Sequence, residues 1–111
     1  MSNAGKPAAR IGDSVATGHG CDATTTIATS NTSPRVIICG QPAATVGMVM
    51  EPHTITNPAP PPAPPCIPHI GPVINAGSAK VLVGMKALAR QGDSADMGTI
   101  TSGCSTVLAG P

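Results

Sequence analysis

A chain of 111 residues with a net charge of +1 has the length of one domain, and its few scattered basic residues form no patch for nucleic acid. It contains no Phe, Tyr or Trp, and Leu, Ile and Val together make up under a fifth of it, which excludes a core anchored by aromatics. Thirteen glycines and thirteen prolines exclude helices beyond a turn or two, and no apolar stretch reaches the length of a membrane span.

Taken in chain order, the N-terminus Met1-Ser2-Asn3-Ala4-Gly5-Lys6 carries no apolar signal segment, so oxidative folding during export is not expected. A phrase then follows that the chain states three times: Pro7-Ala8-Ala9-Arg10-Ile11-Gly12-Asp13, Pro42-Ala43-Ala44-Thr45-Val46-Gly47-Met48, and Lys86-Ala87-Leu88-Ala89-Arg90-Gln91-Gly92-Asp93. The third copy reads as having one extra residue and no proline. Repetition at this period marks units that cannot bury their own apolar faces singly, and three of them predict pseudo-threefold symmetry, with repeats at about 7–40, 41–84 and 85–110 in a single domain 1–111. Arg10 and Asp13 flank Gly12 as Arg90 and Asp93 flank Gly92, while the middle copy has lost both charges together. A paired Arg–Asp across a turn and two separate solvated charges both account for that loss.

Between the copies, residues 24–29 are β-prone, and short aliphatic runs closed by glycine read as buried strands: Val36–Gly40, Val81–Gly84 and Val107–Gly110. Ile38, Leu82 and Leu108 are expected to face the shared core. Cys39, at the end of its run, reads as a small buried residue, and Cys104 aligns with Ser78 at a turn-adjacent position. Residues 57–65 are a proline insertion outside the repeat. It reads as an extended polyproline loop, either a stiff connection or a ligand for a proline-binding module.

So thin a core calls for a staple, since ordering each residue's backbone costs about 1–2 kcal/mol. Four cysteines allow three disulfide pairings, but without a signal segment a metal is the better candidate. His19, His53 and His69 are the only histidines, and Cys66-Ile67-Pro68-His69 is a Cys-x-x-His pair of the kind that forms half a zinc site. Together Cys66 and the three histidines make four ligands of zinc-compatible type. Cys21, two residues from His19, competes for a place.

These residues resemble the PAAR-repeat family. The likeness rests on Pro7-Ala8-Ala9-Arg10 with its Gly12-Asp13 continuation, on Gly77-Ser78-Ala79-Lys80-Val81-Leu82-Val83-Gly84, and on the Cys66–His69 element, and it spans essentially residues 5–110. The chain departs from the family pattern at Met48 and in the proline insertion. The resemblance implies a mostly β, cone-shaped domain with a metal near its apex, bound by His19, His53, His69 and Cys66, with zinc first and iron second. It implies a structural tip that caps a trimeric β-helical spike, VgrG-like or from a phage tail, one copy per trimer. That tip would touch the target membrane transiently and could carry separate effectors. It further implies residence in the cytoplasm before assembly, then secretion with the spike or a place on a virion tail.

A competing expectation is a small zinc enzyme, with Glu51 two residues before His53 as its general base. A four-ligand set is closed to substrate, so no catalytic residue is expected.

Overall fold

One alanine in each copy, the fourth residue when the copies are counted from Lys6, Gln41 and Lys86, decides how the chain assembles. In the computed structural model, which describes residues 5–31, 35–69 and 71–110, Ala9, Ala44 and Ala89 are fully buried. Their backbones form a closed ring: Ala9 N–H donates to Ala89 O (2.9 Å), Ala89 N–H to Ala44 O (2.9 Å) and Ala44 N–H to Ala9 O (3.0 Å). Around this ring the copies bridge in cyclic order, Ala8 with Arg90, Ala43 with Arg10, and Leu88 with Thr45. A second set of bonds repeats the cycle, from Ile11, Val46 and Gln91 to the carbonyls of Pro42, Ala87 and Pro7. The expected pseudo-threefold arrangement is therefore built into the backbone. The same bonds align Lys86–Asp93 with Lys6–Asp13 position for position, so the third copy has no extra residue, and Leu88 stands where the others have Ala8 and Ala43.

Among the described residues the regular elements are all strands: β1 (Lys6–Ala8), β2 (Ser14–Ala16), β3 (Thr24–Thr26), β4 (Ile37–Ile38), β5 (Gln41–Pro42), β6 (His53–Thr56), β7 (Cys66–His69), β8 (Leu82–Val83), β9 (Lys86–Ala87), β10 (Ser94–Ala95), β11 (Gly98–Ile100) and β12 (Cys104–Ala109). The fold is thus mostly β, as expected.

Each copy of the phrase begins in a hairpin. Strands β4 and β5 are joined by Cys39 and Gly40, and β8 and β9 by Gly84 and Met85, with positive φ at all four residues, as a twisted two-residue hairpin requires. The third hairpin is assembled from the two ends of the chain, with Lys6 opposite Ala109 and Pro7 opposite Leu108. Pairing fixes which aliphatic residue turns inward. Ile38, Val83 and Ala109 are buried, whereas Ile37, Leu82 and Leu108 are more than half exposed. The expectation for Leu82 and Leu108 is therefore corrected. Side chains alternate along a strand, and the tight turns set the register one residue from where the sequence alignment had put it.

Each copy ends in a turn closed by a hydrogen bond from its eighth residue to its fifth, with glycine at φ of 96°, 93° and 93° for Gly12, Gly47 and Gly92. The Arg–Asp pairs staple two of these turns. Asp13 accepts Arg10 Nε (3.0 Å) and Nη2 (2.9 Å), and Asp93 accepts the same atoms of Arg90 at 2.9 Å each. The joint loss at Thr45 and Met48 is the loss of a real pair.

After each turn the chain makes an excursion and returns to an isoleucine. Ile27, Ile74 and Ile100 are buried, and their carbonyls accept from the amides of Gly12, Gly47 and Gly92. The first and third excursions combine into one sheet in the order β10-β11-β2-β3, and the second is the β6–β7 hairpin. Its proline loop is not extended. Asn57 closes it through bonds to Pro65 O (2.9 Å) and Pro64 O (2.8 Å), and Ala63 N–H turns back to Pro60 O. The core is two clusters, one of Ala, Ile, Val and Met around the alanine ring and one beneath the hairpins that adds Leu88 and Cys104.

Candidate metal centre

The three excursions each deliver side chains to one place. His19 comes from the loop between β2 and β3. His53 and His69 lie directly opposite each other on β6 and β7 and so share a face. Asp96 occupies the two-residue turn between β10 and β11, at φ 54°, a conformation that Asp tolerates better than most residues.

Their donor atoms converge. His19 Nε2 lies 3.1 Å from His69 Nδ1 and 3.0 Å from Asp96 Oδ2. His53 Nε2 lies 2.9 Å from Asp96 Oδ2 and 3.3 Å from His69 Nδ1, and His69 Nδ1 lies 3.5 Å from Asp96 Oδ2. All four atoms fall within 4.8 Å of one another. Ligands bound at about 2.0–2.1 Å in a tetrahedron sit roughly 3.3–3.4 Å apart, so these separations suit an ion at the centre.

Second contacts settle which atoms can bind. His53 Nδ1 lies 2.9 Å from Glu51 O and His19 Nδ1 3.2 Å from Gly20 O, so each ring donates there and aims the Nε2 lone pair inward. Two lone pairs then face a carboxylate whose side chain is 2 % exposed. Acceptors do not hold acceptors without positive charge between them, so the group needs added protons or a cation. Three imidazoles and one carboxylate suit a divalent first-row transition metal.

The structure therefore brings together three of the four sequence-predicted ligands and places the fourth elsewhere. Cys66 lies on β7, the strand that carries His69, opposite Thr56 of β6. Residues three apart on a strand point to opposite faces, so Cys66 turns away from the histidines and is bonded instead to Cys21. Its pairing with His69 assumed a turn where a strand forms.

The fourth donor, Asp96, left a signal in the sequence. The first two excursions each hold histidine, and Asp96 is the single titratable residue between Asp93 and Ile100. Glu51 contributes its backbone carbonyl, while its carboxylate turns toward Thr29.

All four cysteines are in disulfides, contrary to the expectation from the N-terminus. The second links Cys39 to Cys104, so Cys39 is an exposed, bonded residue rather than a buried thiol. The alignment of Cys104 with Ser78 explains where it falls. Ser78 Oγ donates to Gly110 O at 2.7 Å, and Cys104 reaches the equivalent hairpin turn at Cys39.

No family model matches this chain, and no curated protein matches it.

Proposed function

We propose that the protein is a structural, metal-stabilised spike tip of the PAAR-repeat kind, which caps a trimeric β-helical spike and has no catalytic step. The observation that carries this reading is the threefold set of hairpins on one chain. Ile37, Leu82 and Leu108 occupy equivalent positions on them and are 62 %, 60 % and 54 % exposed. A single chain with three equivalent apolar edges is a poor match for one copy of itself and a good match for three identical chains around an axis. The partner would be a VgrG-like or phage central spike, bound one tip per trimer, with effector cargo as an added load. The His19/His53/His69/Asp96 group then holds the excursions where little core is available, with zinc as the first choice of ion and iron the second.

Mixing the protein with a candidate spike trimer and measuring native mass is the test. One copy per trimer is expected, with the complex weakened by Ile37→Asp or Leu82→Asp. A stoichiometry of three per trimer, or no complex with any trimeric spike from the same source, would end this reading. Elemental analysis separates the ions, with one zinc per chain as the expected result.

A further inference from the structure

The four donors at the metal centre are not held equally well. His53 and His69 sit on paired strands, and Asp96 is fixed by a two-residue turn. His19 rides on an irregular loop, flanked by Gly18 and Gly20, with residues 20–23 exposed. That loop is tied to the β6–β7 hairpin at two points. Asp22 accepts from Thr54 N–H (2.7 Å) and Thr54 Oγ1 (2.9 Å), beside His53. Cys21 is bonded to Cys66, which places the covalent tie two residues from His19 and three from His69.

We propose, building on the metal-centre reading, that the Cys21–Cys66 disulfide is a redox-sensitive clasp that positions His19 over the other three donors, so that the oxidised chain binds the metal more tightly than the reduced chain. Without the clasp, only the hydrogen bonds at Thr17 and Asp22 restrain a loop that two glycines make flexible, and the added freedom must be lost each time the ion binds. With it, the loop is already ordered. Both cysteines are exposed and open to a thiol reagent. Reduction by a dithiol breaks the S–S bond, passes two electrons and two protons to the cysteines, and releases the reagent as its own cyclic disulfide. The freed Cys66 thiol stays on the face away from the histidines, so it positions rather than ligates.

Binding of Co(II) and Zn(II) would be measured by competition with a chelating dye. Cys21→Ser with Cys66→Ser should bind roughly tenfold or more weakly, the size usual for groups that support metal ligands. Cys39→Ser with Cys104→Ser, which removes the other disulfide, should leave affinity within about twofold. The Co(II) form should show no sulfur-to-metal charge-transfer band in any variant, including Cys21→Ser alone. A second measurement needs no variant. Linkage is reciprocal, so saturating zinc must make Cys21–Cys66 harder to reduce by the same factor while leaving Cys39–Cys104 unchanged.

Equal affinity in the Cys21/Cys66 double variant, or equal reducibility with and without zinc, would overturn the clasp alone. Tighter binding by Cys21→Ser with a charge-transfer band would also overturn it, by making Cys66 a ligand. Wild-type oxidised protein that binds neither ion would remove the clasp and the metal centre together.

Discussion

Ala44 shows how much can depend on one methyl group. It is fully buried, its backbone both donates and accepts in the alanine ring, and its side chain shares the core cluster with those of Ala9 and Ala89. Valine there would force extra carbons into a space shaped by three chain segments. Ala44→Val is expected to cost about 1–3 kcal/mol in chemical denaturation, against almost nothing for a substitution at exposed Ala79. Asp22 makes a different single-residue prediction. Hydrogen bonds from the Thr54 amide and then its hydroxyl hold the Asp22 carboxyl below its ordinary value of 3.8. A lowered folded value stabilises the protein above the unfolded one, and the benefit is lost as pH falls through the folded value. In metal-free protein, the melting temperature of the wild type should exceed that of Asp22→Asn at neutral pH, and the gap should close as the solution is acidified below about pH 3.9.

The repeated turn is the element on which the chain varies its own design. In the outer copies, Arg10 and Arg90 reach past their aspartates to Cys39 O (3.3 Å) and Gly110 O (2.8 Å), linking each turn to a neighbouring hairpin. The hydrogen bonds to Asp13 and Asp93 raise the two guanidinium pKa values, so both arginines stay charged across the usable pH range. The middle turn keeps its shape with Met48 Sδ near Thr45 N–H instead. Thr45 is 3 % exposed, so Thr45→Arg alone would bury an unpaired charge and should cost about 3 kcal/mol or more. Adding Met48→Asp should recover at least about 1 kcal/mol of that in a double-mutant cycle. Additive effects would mean that the middle turn cannot accept the pair.

For the molecule as a whole, two disulfides and a candidate metal centre supplement a core without aromatics. The disulfides join residues 45 and 65 positions apart, and chain entropy puts each at about 4 kcal/mol. Reduction in the absence of metal is therefore expected to unfold the protein or lower its melting temperature sharply, followed by far-UV dichroism because no Trp or Tyr is present. Metal at about a hundred times its dissociation constant should add about 2.7 kcal/mol. That gain should vanish in His53→Ala, which removes one of the four donors. An identical melting temperature with and without a stripped ion would leave the histidine–aspartate group with no structural role.

Much of this architecture was legible in the residues alone. The repeated phrase predicts three equivalent units because identical local sequences make identical turns. The three histidines were readable as a shared ligand set because imidazole is a side chain that zinc binds. What the sequence could not decide was register and pairing. Whether Leu82 or Val83 turns inward depends on a two-residue turn that shifts the alternation by one, and the local residues tolerate either. Whether Cys66 meets the histidines or Cys21 depends on its lying on a strand rather than a turn, which its partner strand β6 determines. Asp96 joins the site only because the shortest excursion ends beside the other two. The cysteine and aspartate outcomes rest on contacts between segments tens of residues apart, and a local pattern carries no record of which distant segment its free face will meet.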